Sequence, residues 1–353
     1  MEERVYFVTN RAPVGDAGTD PWFGLDPNKS PSDLRIGWAT LDIPAFPGAV
    51  TLEHVEVSPE SGQPVPGTAA ATRIAPDFSL FGELKAKMTG DVPDTILFIH
   101  GFDYTFPDAL IGVGLLKQRL NLGGFGAANM IVFTWPSDGK LYPELSYYND
   151  RRDAKDSGEA GGRALLQLWD FLKNLTKTEA CRGRIHIVAH SMGNYVLRNA
   201  LQALVKQLPA PPPTMFEQVL LIAADEDYDA LELDFKLEPL AHLCKRIHVY
   251  YNPNDLALDV SHFTKGNARR LGSRGPRNSS AIADDVILVD ASNIDRWTDD
   301  DRDYHHYYLH SPEMAPDMAQ SLRGKAEDKI AGRIPLPGRS GSFRMAGPQA
   351  PKA

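Results

Sequence analysis

The sequence predicts an α/β protein with a doubly wound, mostly parallel sheet and an antiparallel N-terminal extension. From residue 95 onward, short apolar runs alternate with longer amphipathic runs, and this alternation of strand and helix is typical of parallel sheets. The N-terminal third instead contains short runs without helical periodicity. A chain of 353 residues that is 42% hydrophobic is long enough to bury one large core.

We therefore expect a single domain over residues 1–323. Residues 1–90 are predicted to form the strand extension, and residues 91–323 the core that carries the candidate site. The stretch 324–353 is rich in Gly, Pro, Arg and Ser, a composition that predicts a disordered tail.

The N-terminal third is predicted to contain three strands. The first is the apolar run Val5–Val8, and the Gly-, Pro- and Asp-rich segment that follows is predicted to be a loop as far as Ser32. The second and third are Ala39–Ile43 and Leu52–Val57, the latter with clean alternation of apolar and polar residues.

The remaining elements follow from periodicity. Apolar runs predict strands at Thr95–His100, Met130–Thr134, Ile185–Val188, Gln218–Ala223, Arg246–Tyr251 and Val286–Val289. Helical spacing predicts helices at Pro107–Leu120 and Gly158–Leu175, and a further helix that contains Val196, Leu197, Ala200, Leu201 and Leu204.

Composition excludes some partners and cofactors. The formal net charge of −9 argues against nucleic acid, which needs clustered Lys and Arg, although the local basic stretch Lys265–Arg277 is an exception to the acidic composition. Cys181 and Cys244 lie among apolar residues and are predicted to be buried free thiols. No metal-ligand spacing is present, and no cofactor is implied.

The N-terminus does not resemble a secretory signal. Met1–Arg4 is charged and no apolar h-region follows it. No apolar run approaches the ~18 residues of a membrane helix. We therefore expect a cytoplasmic protein without a membrane span.

The most informative motif is Ala189-His190-Ser191-Met192-Gly193, which joins a predicted strand to a predicted helix. A serine at such a sharp turn exposes its hydroxyl, and the turn requires small residues two positions on either side. Ala189 and Gly193 fill these positions, with alanine in place of the more usual glycine. An α/β hydrolase carries its nucleophile at this point, although such pentapeptides also occur by chance in ordinary turns.

A serine nucleophile needs a histidine base and a carboxylate, which follow it in the chain in the order acid, then base. Asp255, just after the run Arg246–Tyr251, is the preferred acid because a loop there reaches the carboxyl edge of the sheet. Asp225, after the preceding strand, is the alternative. Either aspartate could instead cap a helix or stabilise a turn.

The candidate bases follow the last predicted strand. His305, His306 and His310 lie in one short segment, and at most one of them can act as the base. His305 is preferred and His306 is the next choice, although a histidine is often only structural.

Two backbone N–H groups are expected to form the oxyanion hole. Met192 follows the nucleophile and supplies the first. Phe102 is the preferred second donor and Asp103 the alternative, because Gly101 allows a close approach of this loop. Five residues are expected to contact substrate: His100, Gly101, Tyr104, Trp135 and His190. Trp135 could equally pack in the core, and an aromatic rim could include Phe106, Tyr147 and Tyr148.

Several motifs together resemble a bacterial α/β-hydrolase family of unknown function whose members look like esterases or lipases. They are Val8-Thr9-Asn10-Arg11, Phe98-Ile99-His100-Gly101-Phe102-Asp103-Tyr104, Phe133-Thr134-Trp135-Pro136-Ser137, Asp150-Arg151, Ala189-His190-Ser191-Met192-Gly193-Asn194, Ala223-Ala224-Asp225-Glu226-Asp227, Tyr251-Asn252-Pro253-Asn254-Asp255-Leu256-Ala257-Leu258 and His305-His306-Tyr307-Tyr308. The resemblance implies the α/β-hydrolase fold and acyl-transfer chemistry. Its His-X-Tyr signature, aligned on Tyr307, selects His305 as the base.

The expected function is hydrolysis of a small-molecule or polymeric carboxylic ester by a serine esterase, through a Ser-His-Asp triad and an acyl-enzyme. An acyltransferase or amidase with the same triad is the alternative, and a non-catalytic binding protein is a further one. Substrate preference, oligomeric state and a lid at Glu226–Leu243 or Val260–Ser280 stay open.

Overall fold

The computed structural model describes residues 1–14, 22–28, 30, 34–57, 78–92, 94–137, 143–178, 183–208, 214–258, 269–295 and 304–347. Within these ranges the chain forms an eleven-stranded sheet and a separate two-stranded sheet. Two layers of apolar side chains cover the opposite faces of the large sheet.

The N-terminal third contributes five strands: β1 (Glu2–Thr9), β2 (Arg11–Pro13), β3 (Phe23–Pro27), β4 (Arg35–Asp42) and β5 (Thr51–Val57). The antiparallel ladder β1-β4-β5 forms one edge of the large sheet, which confirms the predicted extension. The expectation of a plain loop up to Ser32 is wrong, because β2 and β3 pair with each other. Strands of three and five residues are too short to show periodicity, and Phe23 is fixed by packing against Phe106.

The rest of the chain alternates between helices and strands. In order, these are α1 (Phe78–Thr89), β6 (Asp94–Ile99), α2 (Phe106–Leu122), β7 (Ala128–Thr134), α3 (Pro143–Thr178), β8 (Ile185–His190), α4 (Gly193–Gln207), β9 (Phe216–Ile222), β10 (Cys244–Tyr251), α5 (Leu271–Arg274), β11 (Val286–Asp290), α6 (Tyr307–His310), α7 (Met314–Leu322), β12 (Arg333–Pro335) and β13 (Ser342–Met345). Short 3₁₀ helices occupy Glu238–His242 and Glu327–Lys329. The helix α1 was not predicted.

The strand order is β12-β13-β11-β10-β9-β8-β6-β7-β1-β4-β5. Pairing is parallel from β1 through β7, β6, β8, β9, β10 and β11 to β13. The predicted class, a mostly parallel doubly wound sheet, is therefore confirmed. All residues of β6, β7 and β8 are buried, as expected for central parallel strands covered on both faces.

The helix α3 begins fifteen residues before the predicted start at Gly158. Its buried positions in that first part include Asp150, Ala154 and Ser157, which recur at helical spacing but are small or polar. Because hydrophobic periodicity detects only apolar faces, it missed this half of the helix. Although α3 is long, no helix in the described ranges combines the length and apolarity that a membrane span needs.

The end of the chain departs from the predicted disordered tail. Residues 333–335 and 342–345 form β12 and β13, which extend the sheet beyond β11. Arg333 is buried, and its Nη2 donates to Asp317 Oδ1 at 2.6 Å while its Nε donates to Oδ2 at 2.8 Å. Phe343 and Met345 are also buried. Up to residue 347, the Gly- and Pro-rich composition therefore reflects tight turns between short strands; residues 348–353 of the predicted tail lie outside the described residues.

We expect Arg333→Met to lower the free energy of unfolding by about 3 kcal/mol, because the change leaves the Asp317 carboxylate buried without its partner. Arg344→Met is the matched control, since Arg344 pairs with Asp290 but is 44% exposed, and it should cost less than about 1 kcal/mol. Urea unfolding measures both. Equal losses would contradict the anchoring role of Arg333.

Candidate active site

Ser191 lies at the turn between β8 and α4 with φ of +52°. Its N–H donates to Ile222 O at 3.0 Å, and its carbonyl accepts the N–H of Asp225 at 3.1 Å. The left-handed backbone lifts Ser191 out of the line of the strand, as a nucleophile turn requires. Hydrogen bonds to the end of β9 and the turn that follows it hold this strained conformation.

The turn after β6 packs directly on the turn at Ser191. A Cβ atom on Gly193 would lie 2.4 Å from Ile99 O, and one on Gly101 would lie 2.9 Å from Ser191 Cβ. Both positions therefore exclude any side chain. Ala189 is fully buried in the core, and the turn retains its left-handed serine with alanine in place of glycine.

A hydrogen-bonded chain joins Ser191, His305 and Asp255. His305 Nε2 lies 2.8 Å from Ser191 Oγ, and His305 Nδ1 lies 2.8 Å from Asp255 Oδ2. Asp255 is fully buried, and its Oδ1 also accepts the N–H of Leu258 at 3.0 Å. With Nδ1–H donated to the carboxylate, Nε2 is left to accept the serine hydroxyl proton.

Tyr307 anchors to the sheet the loop that carries His305 and His306, called the histidine loop below. In the sequence, Tyr307 served only to align the His-X-Tyr signature. Its hydroxyl donates to Tyr250 O at 3.0 Å and accepts the N–H of Ala223 at 3.2 Å. His190 Nε2 lies 3.1 Å from the His305 carbonyl and donates to it. The His-X-Tyr spacing is the sequence signal that could have identified this anchor.

Backbone strain concentrates at this site. Among the described residues, four non-glycine residues have positive φ: Asp103 (+60°), Ser191 (+52°), Ala223 (+46°) and Tyr304 (+53°). All four lie in loops that follow the carboxyl ends of β6, β8, β9 and β11. Such strain persists only where surrounding contacts hold it, and it clusters at functional sites.

The alternative acid and base have other partners. Asp225 Oδ2 accepts the hydroxyl of Tyr147 at 2.6 Å, and Arg270 Nε lies 3.4 Å from Asp225 Oδ1. His306 packs against the ring of His190, with 4.9 Å between their centroids. His310 lies at the end of α6. His305 is hydrogen-bonded both to Ser191 Oγ and to the Asp255 carboxylate, whereas Asp225 meets Ser191 through its backbone N–H.

The two candidate oxyanion donors lie on the facing turns. Met192 directly precedes α4, where backbone N–H groups have no partner within the helix. Phe102 follows Gly101, and its ring contacts Tyr147 with 6.1 Å between centroids. Asp103, the alternative donor, is exposed.

Trp135 and His100 were predicted to contact substrate, but both lie beneath the loop that begins at Gly101. Trp135 is fully buried, and its indole Nε1 donates to His100 O at 2.9 Å. His100 is also fully buried; its Nε2 accepts the N–H of Trp135 at 3.2 Å, so its Nδ1–H donates to Gly101 O at 2.9 Å. The structure therefore places Trp135 in the core, and both rings support the loop from below.

The remaining aromatic candidates divide between core and surface. Tyr104 is half-buried and stacks on His100, whereas Phe106 is buried against Phe7 and does not form a rim. Tyr148 is 51% exposed. His190, which precedes Ser191 in the chain, is buried, and its side chain contacts the backbone of the histidine loop at the His305 carbonyl.

Burial lowers the pKa of three histidines at the candidate site. Burial, with the nearby charge of Arg11, lowers the pKa of His100 well below its usual range. Burial, then His305 and His306, does the same for the pKa of His190. For His306, burial, with His305 and His310 nearby, lowers the pKa to about 3.

Other predicted features lie outside the site. Cys244 is a buried free thiol, as predicted, and Cys181 lies outside the described residues. Of the two candidate lids, residues 226–243 are joined to α4 by the ion pair between Arg198 and Glu226, and to the segment before α5 by the pair between Arg270 and Asp227. Much of 260–280 is not described. In the part of the chain that the structure describes, no three His, Cys, Asp or Glu side chains could hold a metal ion.

The parallel sheet and the serine turn between β8 and α4 define an α/β hydrolase. Residues 79–324 match the family model described as "Alpha/beta hydrolase of unknown function (DUF900)". The chain belongs to this family, and the resemblance suggested by its sequence motifs is confirmed.

Individual relatives give less information. The uncharacterized protein alr1448 of Nostoc sp. (strain PCC 7120 / SAG 25.82 / UTEX 2576) is 27% identical over 292 residues, which cover 69% of this chain and 70% of the relative. A candidate hydrolase of the alpha/beta superfamily, XCC1541 from Xanthomonas campestris pv. campestris, shares 16% identity, with 65% of this chain and 98% of that chain covered and a TM-score of 0.28. Phospholipase PlaB from Legionella pneumophila shares 14% identity, with 60% and 40% covered and a TM-score of 0.24. Neither structural similarity carries an argument about activity.

We expect acid to destabilise the fold through the buried histidines. Because folding lowers the pKa of His306 from 6.5 to about 3, the unfolded chain binds the proton first, and stability falls as pH falls below about 6.5. Between pH 8 and pH 5, His306→Gln should lose about 2 kcal/mol less unfolding free energy than the wild type. The exposed residue His54 provides the control variant His54→Gln, and urea unfolding at both pH values is the measurement. An unchanged pH dependence in His306→Gln would contradict this assignment.

Proposed function

We propose that the protein is a serine hydrolase that cleaves carboxylic esters. The observation that carries this proposal is the chain of contacts from Ser191 Oγ to His305 Nε2 at 2.8 Å and from His305 Nδ1 to Asp255 Oδ2 at 2.8 Å. Membership in an α/β-hydrolase family supports hydrolytic chemistry at this turn. Serine favours acyl transfer, because a hydroxyl forms an acyl-enzyme with an ester carbonyl.

In the proposed mechanism, Ser191 Oγ attacks the ester carbonyl while His305 Nε2 takes its proton. Asp255 holds the Nδ1–H tautomer and stabilises the imidazolium. The N–H groups of Met192 and Phe102 donate to the oxyanion of the tetrahedral intermediate. His305 then protonates the leaving alcohol, and the same groups activate water to hydrolyse the acyl-enzyme.

We expect Ser191→Ala to abolish hydrolysis of p-nitrophenyl esters, since it removes the hydroxyl that lies 2.8 Å from His305 Nε2. The loss of kcat/KM should reach about 10⁴-fold or more. Activity is compared over a series of acyl lengths, with circular dichroism as the control for folding. A folded Ser191→Ala protein that retains full activity would refute the proposal. Failure of a fluorophosphonate to label the wild type at Ser191 would also refute it and favour a binding protein.

Asp255→Asn and Asp225→Asn form a matched pair, because both carboxylates are buried and both follow strands at the same sheet edge. We expect Asp255→Asn to lower kcat by about 10²- to 10⁴-fold through the wrong histidine tautomer. Asp225→Asn should lower kcat less than about tenfold, since Asp225 contacts Tyr147 and Arg270 instead. A larger loss in Asp225→Asn would reverse the assignment of the acid.

Product analysis with an added alcohol or amine separates hydrolysis from acyl transfer. Release of free acid in the presence of the competing nucleophile supports the hydrolase. A predominantly transferred product would instead favour an acyltransferase that uses the same serine, histidine and aspartate.

A further inference from the structure

Arg11 is a fully buried arginine just after β1 that the mechanism above does not use. Its guanidinium joins three segments of the chain. Nη2 donates to Tyr104 O at 2.6 Å, Nε donates to Thr134 Oγ1 at 2.9 Å, and Nη1 donates to Gly24 O at 3.2 Å. The first of these contacts fixes the far end of the loop that begins at Gly101.

The backbone N–H of Tyr104 is linked to α3 through the hydroxyl of Ser137. The N–H of Tyr104 donates to Ser137 Oγ at 3.4 Å, and the Ser137 hydroxyl donates to Asp150 Oδ2 at 2.7 Å. Asn10 Nδ2 donates to Ser157 Oγ at 2.9 Å, which links the segment before Arg11 to the same helix. The motifs around Arg11, Ser137 and Asp150 thus form one buried polar network beneath the loop.

This network restrains the Tyr104 end of the loop, next to its strained residue. Gly101 lies against Ser191 at one end, and Tyr104 is fixed by Arg11 at the other. Between them, Asp103 has φ of +60°, a conformation that a non-glycine residue keeps only under external restraint. The direction of the Phe102 N–H depends on this short turn.

We propose that Arg11 is a positioning residue that sets the Phe102 N–H of the oxyanion hole by holding the Tyr104 carbonyl. This inference rests on the proposed serine-hydrolase function. A planar guanidinium can donate to acceptors on three segments in fixed directions, whereas the single ammonium of lysine cannot reproduce that geometry. Charge alone therefore does not replace Arg11.

The test compares Arg11→Lys with Arg333→Lys. Both arginines have fully buried side chains, but Arg333 lies at the opposite edge of the sheet and has no contact with the loop. Thr134→Val, which removes only the acceptor of Arg11 Nε, is a milder second variant. Three quantities are measured: kcat and KM for a p-nitrophenyl ester, the inhibition constant of an aryl boronate, and amide hydrogen exchange at residues 101–105.

For Arg11→Lys we expect kcat to fall by about 10- to 100-fold with KM changed less than about threefold, because an oxyanion donor acts in the transition state. Boronate inhibition should weaken in parallel with kcat/KM. Hydrogen exchange should rise by about tenfold at residues 101–105 and remain unchanged in β9. Thr134→Val should show smaller effects in the same direction, and Arg333→Lys should show none of them.

Unchanged kcat and unchanged loop exchange in folded Arg11→Lys and Thr134→Val would overturn the proposal, and so would an equal loss of kcat in Arg333→Lys. Faster hydrogen exchange in the loop with unchanged kcat would overturn the proposed effect of Arg11 on the oxyanion hole. Wild-type protein that does not react with a fluorophosphonate would refute the serine-hydrolase function instead. Hydrogen exchange would then still decide whether Arg11 fixes the loop.

Discussion

The close approach of two backbone turns, the one after β6 and the one after β8, determines the geometry of the candidate site. β6 and β8 are parallel neighbours in register, with Ile99 opposite Ala189, so their carboxyl ends bring the two turns to one point. The space between them admits no Cβ at Gly101 or Gly193. Alanine is tolerated at position 189 because that residue faces the core instead of the opposing turn.

The proposed acid and base reach Ser191 because further parallel strands end at the same edge. Asp255 follows β10, and His305 follows β11 through a longer connection. The hydroxyl of Tyr307 fixes that connection to the ends of β9 and β10. The strained residues Ser191 and Ala223 are therefore held by hydrogen bonds to neighbouring loops and strand ends, so that side chains far apart in sequence meet within hydrogen-bond distance.

Local patterns predicted the central strands, the serine turn and the helix that follows it, because each is encoded by contiguous residues. The choice between Asp255 and Asp225 was harder, since both follow neighbouring strands at the same edge. Context favoured Asp255, but only the three-dimensional packing shows that Asp225 contacts Tyr147 and Arg270. The tail was mispredicted for a related reason: β12 depends on Asp317, a partner on another element.

Hydrophobic patterning also missed a group of polar residues beneath the loop at Gly101. Asp150 and Ser157 form a buried polar stripe on α3 where an apolar stripe would normally pack. Burying such groups costs desolvation energy that hydrogen bonds only partly offset, and apolar residues of similar volume often serve stability equally well. What apolar packing does not supply is direction, since only a hydrogen bond orients a particular carbonyl or amide. A polar network at this place is therefore better explained by the orientation of the loop than by stability of the core.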